Sequence, residues 1–429
     1  MGEREYDLIL WGATGYTGKL AAEYLARREG RQALKWALGG RNRGKLEAVR
    51  ASLAAEHPDL AELPIEVANA TDAADMRKLA ASTRVVATLV GPYARYGSEL
   101  VAACVEERTD YCDITGEVDW IAEMIAKHHD AAVERGARIV NCCGYDSIPS
   151  DLTVWLLQSE ATKRFGAPLP HVENVAESNA PSLSGGTIDS MIAMGERLAE
   201  DPALRATLND AYALNPEGTR GNAPVQDDPR PRKDAVRGFW TAPFLMAVIN
   251  TKIVRRSNAL LSDAYGRDMR YDERMRAGRG PAGLLTAGLI GLNLAIMPSV
   301  LAIGPIRNLL RDRVLPKPGE GPSEKQRDGA FFKVTCRGEG PGRAMEVSVR
   351  GPGHPGYDET AKMLIESALC LLQDGDRLTA KGGILTPASV MAEPLIERLR
   401  AAGQDWEVAV EKGAEQVNAQ PQSSAAAPN

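Results

Sequence analysis

The 429-residue sequence predicts an α/β chain, with a doubly wound parallel sheet domain over 1–150 and an α+β domain over 151–355. Three observations lead there. Short apolar runs at 8–11, 34–38, 85–90, 111–114 and 139–142 alternate with helical stretches at 19–28, 72–81, 98–107 and 118–135. That is the pattern of strands buried on both faces by crossover helices. The first run is followed by a glycine-rich turn. The chain is also longer than one hydrophobic core usually supports, so a second domain is expected.

The turn reads Gly12, Ala13, Thr14, Gly15, Tyr16, Thr17, Gly18. A strand, such a turn and a helix are what a dinucleotide pyrophosphate requires: Gly12 permits the tight turn, Gly15 lets the backbone approach the phosphates, and Gly18 lets the helix pack on its strand. The helix N-terminus then offers free N–H groups and partial positive charge to the anion. Thr14, Tyr16 and Thr17 line the same turn. The expectation is a Rossmann-type domain.

About 20 residues further on, where an NAD enzyme carries a carboxylate for the ribose 2′-hydroxyl, the chain reads Gly39, Gly40, Arg41, Asn42, Arg43. No carboxylate stands there. Arg41 and Arg43, with Lys45 nearby, offer planar forks suited to a 2′-phosphate. The expected cofactor is NADP(H).

Composition narrows the class. A formal charge of −6 argues against a general nucleic-acid binder, and 44% hydrophobic with 25% charged residues is ordinary for a globular chain. Cys104, Cys112, Cys142, Cys143, Cys336 and Cys370 form no CxxC pair and no Cys/His ligand spacing, so neither a metal site nor a disulfide framework is indicated. The charged amino terminus runs straight into the first strand without the pattern of a signal peptide, and the expected location is cytoplasmic.

Open parallel sheets bind ligands beyond the carboxyl ends of their strands. Those ends read Gly91-Pro92-Tyr93, Asp113-Ile114-Thr115-Gly116-Glu117 and, from Gly144 to Asp151, GYDSIPSD. Gly91 and Pro92 are expected to border the cofactor. Tyr93 either lines the nicotinamide or donates a proton, or is a turn tyrosine packed on a helix. Asp113 and Glu117 either orient substrate or cap the next helix. Ser147 or Ser150 suits the cap of the helix beyond, and Pro149 its first turn. Tyr145 and Asp146 are the better candidates for contact with substrate or cofactor. The candidate catalytic residues are therefore Tyr93, Tyr145 and Asp146. No tyrosine is followed four residues later by a lysine, which disfavours a short-chain dehydrogenase.

The set GATGYTG, GGR, GPY, DITGE and GYDSIPSDL resembles the saccharopine dehydrogenase-like oxidoreductases. Within that superfamily NTKIVRRSNAL (250–260), KPGEGPSE (317–324) and GILTPA (383–388) look like the trans-acting enoyl reductase branch. The resemblance runs over 6–399. It implies reduction of an enoyl double bond on an acyl or polyketide thioester held by a separate carrier protein or synthase, in lipid or polyketide biosynthesis. A saccharopine dehydrogenase-type amino-acid or imine oxidoreductase, and a non-catalytic lipid-associated NADP-binding protein, are the competing readings.

The later chain carries β-like stretches at 331–336 and 344–349, and Gly185-Gly186-Thr187 looks like a turn entering a helix. Residues 252–279 hold eight basic against four acidic residues, either a solvated surface or one that receives a phosphopantetheine carrier or an acidic membrane face. Segment 282–306 has no charged residue but is interrupted by Asn293, Pro298 and Pro305. A broken hydrophobic helix is expected there, covering a substrate channel or resting on the inner face of the cell membrane; a homodimer interface or a core helix competes. Helices at 359–372 and 388–400 are expected to return to the first domain within 356–412, and 413–429 reads as a disordered tail.

Overall fold

The computed structural model describes residues 4–28, 30–180, 185–201, 204–224, 230–302 and 321–411. Two seven-stranded sheets organise them. The first contains β1 (Tyr6–Trp11), β2 (Trp36–Gly40), β3 (Ile65–Val67), β4 (Thr83–Thr88), β5 (Asp110–Asp113), β6 (Arg138–Val140) and β13 (Gly383–Leu385), in the order β13-β6-β5-β4-β1-β2-β3. All its pairings are parallel. The strand order reverses at β1, with β2 and β3 added on one side and β4 onward on the other, which sets the crevice at the carboxyl ends of β1 and β4.

Alternation along β1 explains the double cover. Leu8 and Leu10 enter one core with Ala21 and Leu25 of α1 (Tyr16–Arg27), whereas Ile9 and Trp11 enter another with Met76 of α3 (Ala73–Ser82), Leu100 of α5 (Ser98–Glu107) and Trp120 of α6 (Val118–Arg135). On the β2 side α2 (Arg43–Glu56) adds Leu46, Val49 and Leu53. The single helical turn α4 (Tyr93–Tyr96) follows β4. The helix Thr360–Gln373, from the far end of the chain, packs on α1, β4 and β5, so the first sheet is covered by a late helix as well as completed by the late strand β13.

The second sheet has the order β14-β12-β11-β7-β10-β9-β8: β7 (His171–Ser178), β8 (Arg232–Lys233), β9 (Trp240–Pro243), β10 (Arg270–Gly278), β11 (Phe332–Gly340), β12 (Arg343–Gly351) and β14 (Asp405–Glu411). Only β7 and β10 run parallel. α7 (Ile148–Phe165) packs on β11 and β12, and α10 (Ala247–Leu260) on α7 and β10. α8 (Gly185–Glu200) begins at the expected Gly185, and α9 (Leu204–Asn209) follows it.

Two expectations need correction. The hydrophobic segment is not broken where it is described: α11 is one helix from Gly280 to Ala302, running through Asn293 and Pro298. Asn293 satisfies its own amide by donating Nδ2 to the Leu289 carbonyl at 2.9 Å, so it does not interrupt the ladder. Residues 303–306, like the expected tail from 413, lie outside the described residues. No described helix is long and apolar enough to cross a membrane. The second correction concerns α10, whose Lys252, Arg255 and Arg256 are only 5%, 7% and 1% exposed. Arg256 donates to the carbonyls of Leu214 and, at 2.6 Å, Ile384; Arg255 reaches those of Ala211 and Tyr271, both at 3.4 Å. Burial lowers the Arg256 guanidinium to about 10. Lys252 donates to the Val248 carbonyl of its own helix, whereas Arg255 and Arg256 hold the 211–214 loop, β10 and β13 to α10; the three present no docking face.

Candidate active site

The first βα corner has the geometry a pyrophosphate needs. Gly12 sits at φ +95°, and a Cβ on Gly18 would lie 2.2 Å from the Gly12 carbonyl oxygen, so both positions admit only glycine. Gly15 caps α1 with neither a side-chain cap nor an acidic residue in the first turn, leaving its N–H groups to an anion. Thr14, Tyr16 and Thr17 are half-buried around it. Tyr16 has a task the sequence did not announce: its ring meets Tyr357 edge-on at 4.9 Å and its hydroxyl donates to the Pro322 carbonyl, tying the turn to the later chain.

At the exit of β2, Asn42 accepts from the Lys45 amide at 3.0 Å and caps α2, which leaves Arg41 and Arg43 exposed on either side. Two cations that make no ion pair among the described residues, one strand away from the glycine turn, fit a ribose 2′-phosphate. Replacing both by Ala is expected to weaken NADPH binding about 10- to 150-fold, with NADH affinity little changed, as read by quenching of protein fluorescence.

The loops after β4, β5 and β6 are wired to one another. Asp113 accepts from the Thr115 and Cys142 amides at 3.1 and 2.9 Å, from Asn141 Nδ2 at 2.8 Å and from the Tyr111 hydroxyl at 2.9 Å. Burial nevertheless raises it to about 6. Glu117 accepts from the amides of Tyr93 and Ala94 at 2.9 and 2.8 Å, capping α4, and from Ser190 of α8 at 2.7 Å. The two carboxylates thus shape the crevice. Gly91 is exposed, Pro92 half-buried and the bond between them cis. Tyr93 is 4% exposed; its hydroxyl donates to the Thr88 carbonyl at 3.1 Å and accepts from the Ile114 amide at 3.2 Å. Both its bonding directions are spent on backbone because the ring folds inward beside Trp120, 5.5 Å away. It ties the end of β4 to the loop after β5.

Beyond β6 the chain passes through Cys142 at φ +63°, a left-handed conformation that costs a β-carbon-bearing residue of order 1–3 kcal/mol. Asp113 holds that corner through the Cys142 amide. It delivers Tyr145 and Asp146. Tyr145 packs on Phe332 of the second sheet, ring centroids 5.1 Å apart, and is 4% exposed. Asp146 is half-buried, its carboxylate has no hydrogen-bond partner among the described residues, and burial alone raises it to about 7. Ser147 occupies the cap position of α7, yet its hydroxyl donates to Asn250 Oδ1 at 2.9 Å instead of capping.

Asn250 is the hub that sequence reasoning missed. Its Nδ2 reaches Glu273 Oε2 at 2.9 Å and Ser150 Oγ at 3.2 Å, and Glu273 also accepts from the Tyr271 hydroxyl at 2.5 Å. Asp151 of α7 accepts from Ser257 at 2.6 Å and from the Ala388 amide at 2.8 Å. The segments 144–151, 250–260 and 383–388 were legible as motifs; that they are three sides of one buried network was not.

Fold and site together define an NADP-dependent oxidoreductase of the saccharopine dehydrogenase type. The saccharopine dehydrogenase NADP-binding domain model matches residues 8–140, and apo saccharopine dehydrogenase (L-Glu forming) from Saccharomyces cerevisiae shares the fold, with a TM-score of 0.51 and 12% identity over 94% of this chain and 100% of that one. A Mycobacterium tuberculosis protein whose name assigns it provisionally to the trans-acting enoyl reductases is 40% identical over 418 residues, 93% of this chain and 96% of its own. The trans-acting enoyl reductase of Mycobacterium bovis is 37% identical over 413 residues, 94% and 97% of the two chains. This chain belongs to the trans-acting enoyl reductase family.

Proposed function

We propose that the protein reduces the α,β double bond of an enoyl thioester presented by a separate synthase or carrier protein in lipid or polyketide biosynthesis. NADPH supplies the hydride. Asp146 carries the reading: a half-buried carboxylic acid near neutrality, in the loop after β6 at the carboxyl edge of the sheet that bears the nucleotide turn, suits transfer of the proton that the α-carbon must receive. Tyr93 is less suited because its hydroxyl is engaged by backbone, and Tyr145 because burial raises its hydroxyl far above neutrality. The turn shaped by Gly12, Gly15 and Gly18 holds the phosphates at the N-terminus of α1, with Arg41 and Arg43 on the 2′-phosphate. An amino-acid substrate calls for arginines facing its carboxylates, whereas Arg255 and Arg256 of the second domain are spent on carbonyls. The protein then works in the cytoplasm, in contact with the inner face of the cell membrane.

Purified protein with NADPH and enoyl thioesters of several chain lengths should consume NADPH and yield the saturated thioester. Tight NADPH binding without turnover of any of them would favour the non-catalytic alternative; turnover of an imino acid instead would favour the saccharopine type.

A further inference from the structure

α11 is mounted inside out. Its attached side is small: Ala287 is fully buried, and Gly283 lies so close to Gly278 that a Cβ there would come within 2.5 Å of the Gly278 carbonyl. Its large side chains face away. Leu285, Leu289, Leu292 and Ile296 follow one another at spacings of four, three and four, the repeat of a single helix face, and are 66%, 52%, 58% and 48% exposed, with Leu284 beside them at 44%. A helix that packs only for stability turns its leucines inward, and a contiguous apolar stripe this long marks an interaction surface.

The charges around the stripe select its occupant. Between Glu273 and Asp312 the sequence has no carboxylate; Arg274 is buried against Thr241 and Arg276 is paired with Glu177, which leaves Arg279 ahead of the apolar segment, and in the sequence Arg307 and Arg311 follow it. Arg279, at the foot of α11, is exposed. An apolar face with an exposed arginine at its foot, in a stretch of sequence from 277 to 311 whose charged residues are all arginines, complements an anionic phospholipid surface. The helix is also linked to the site. It packs on α8, whose Ser190 donates to Glu117 and whose Arg197 pairs with Asp119 at 3.0 Å, both on the loop and helix that follow β5.

We propose that the Leu285–Leu289–Leu292–Ile296 face of α11 seats on an anionic lipid bilayer, lying in its interface without crossing it. The proposal deepens the membrane contact put forward above and rests on the reading of a lipid-chain substrate: α8 and α11 bring the crevice next to the lipid, so that a greasy acyl chain passes between membrane and site without crossing water.

Full-length protein with NADPH is floated on vesicles of equal parts phosphatidylcholine and phosphatidylglycerol, and on phosphatidylcholine alone. Wild type is expected to float with the anionic vesicles, less with the neutral ones, and only partly to be released by high salt. Leu285→Lys with Leu289→Lys is expected to lower partitioning about a hundredfold, while NADPH binding and turnover of a short, water-soluble enoyl thioester stay unchanged. As a second reporter, the emission of a Leu292→Trp variant is expected to shift to the blue when anionic vesicles are added. Wild type that stays unbound, or a double variant that floats as well as wild type, overturns the proposal. So does a wild-type dimer in vesicle-free buffer that the two lysines convert to monomer, because the face then belongs to a second copy. Flotation does not depend on turnover, so docking without enoyl reduction would sink the assigned reaction alone, and reduction without docking the surface alone.

Discussion

Asp146→Asn is expected to lower kcat for enoyl reduction about a hundred- to ten-thousandfold, with NADPH affinity unchanged. The substitution keeps the shape of the side chain and removes only the proton it can give. Because the carboxyl is raised to about 7, the acid form is present below that pH and lost above it. Wild-type turnover should therefore fall as pH rises through about 7, and the residual rate of the variant should lack that limb. In the variant, stability is expected to move opposite to activity. A carboxyl whose folded value lies above its unfolded one destabilises the native state progressively as pH rises from the ordinary Asp value through about 7. The Asn variant should thus match wild type near pH 4 and exceed it at pH 8, read as urea midpoints at constant slope. A slower but more stable enzyme is the signature of a group retained for chemistry; equal turnover across the pH range would remove Asp146 from the mechanism.

Asn250→Ala is expected to cost about 3–5 kcal/mol of stability, because it leaves three buried groups, Ser147 Oγ, Ser150 Oγ and the Glu273 carboxyl, without a partner they had. Asn250 is 1% exposed and Glu273 2%, so water does not readily replace the missing amide. Burial raises Glu273 to about 7 even with Asn250 and Tyr271 donating to it. The variant should accordingly lose most at high pH, where that carboxylate must ionise with Tyr271 still donating but without the Asn250 amide. Ser147 follows Asp146 directly, so kcat should fall in the variant even at temperatures where it remains folded. A denaturation midpoint within error of wild type would show that the network carries no load.

Much of the first domain was legible because its signals are local. Strands buried on both faces must be apolar throughout, and the helices at 98–107 and 118–135 appear with those boundaries. The glycine turn could be read because steric exclusion is a property of the residue: nothing but glycine tolerates the positions of Gly12 and Gly18. Boundaries slipped where capping moved them, as at α1, which starts at Tyr16 and not at Lys19. β13 was unreadable, since three residues acquire strand character only by pairing with β6. The cations of α10 misled for a related reason, their partners being backbone carbonyls that any sequence carries.

By itself the sequence determined the parallel first sheet and the nucleotide corner, because glycine sterics and apolar runs act over a few residues. Only the tertiary structure decided which carboxyl is left without partners near neutrality, which motifs close into one buried network, and that α11 turns its leucines outward. Those are questions of what each side chain meets across more than a hundred residues of chain, and desolvation and hydrogen bonding have no value until that meeting has occurred.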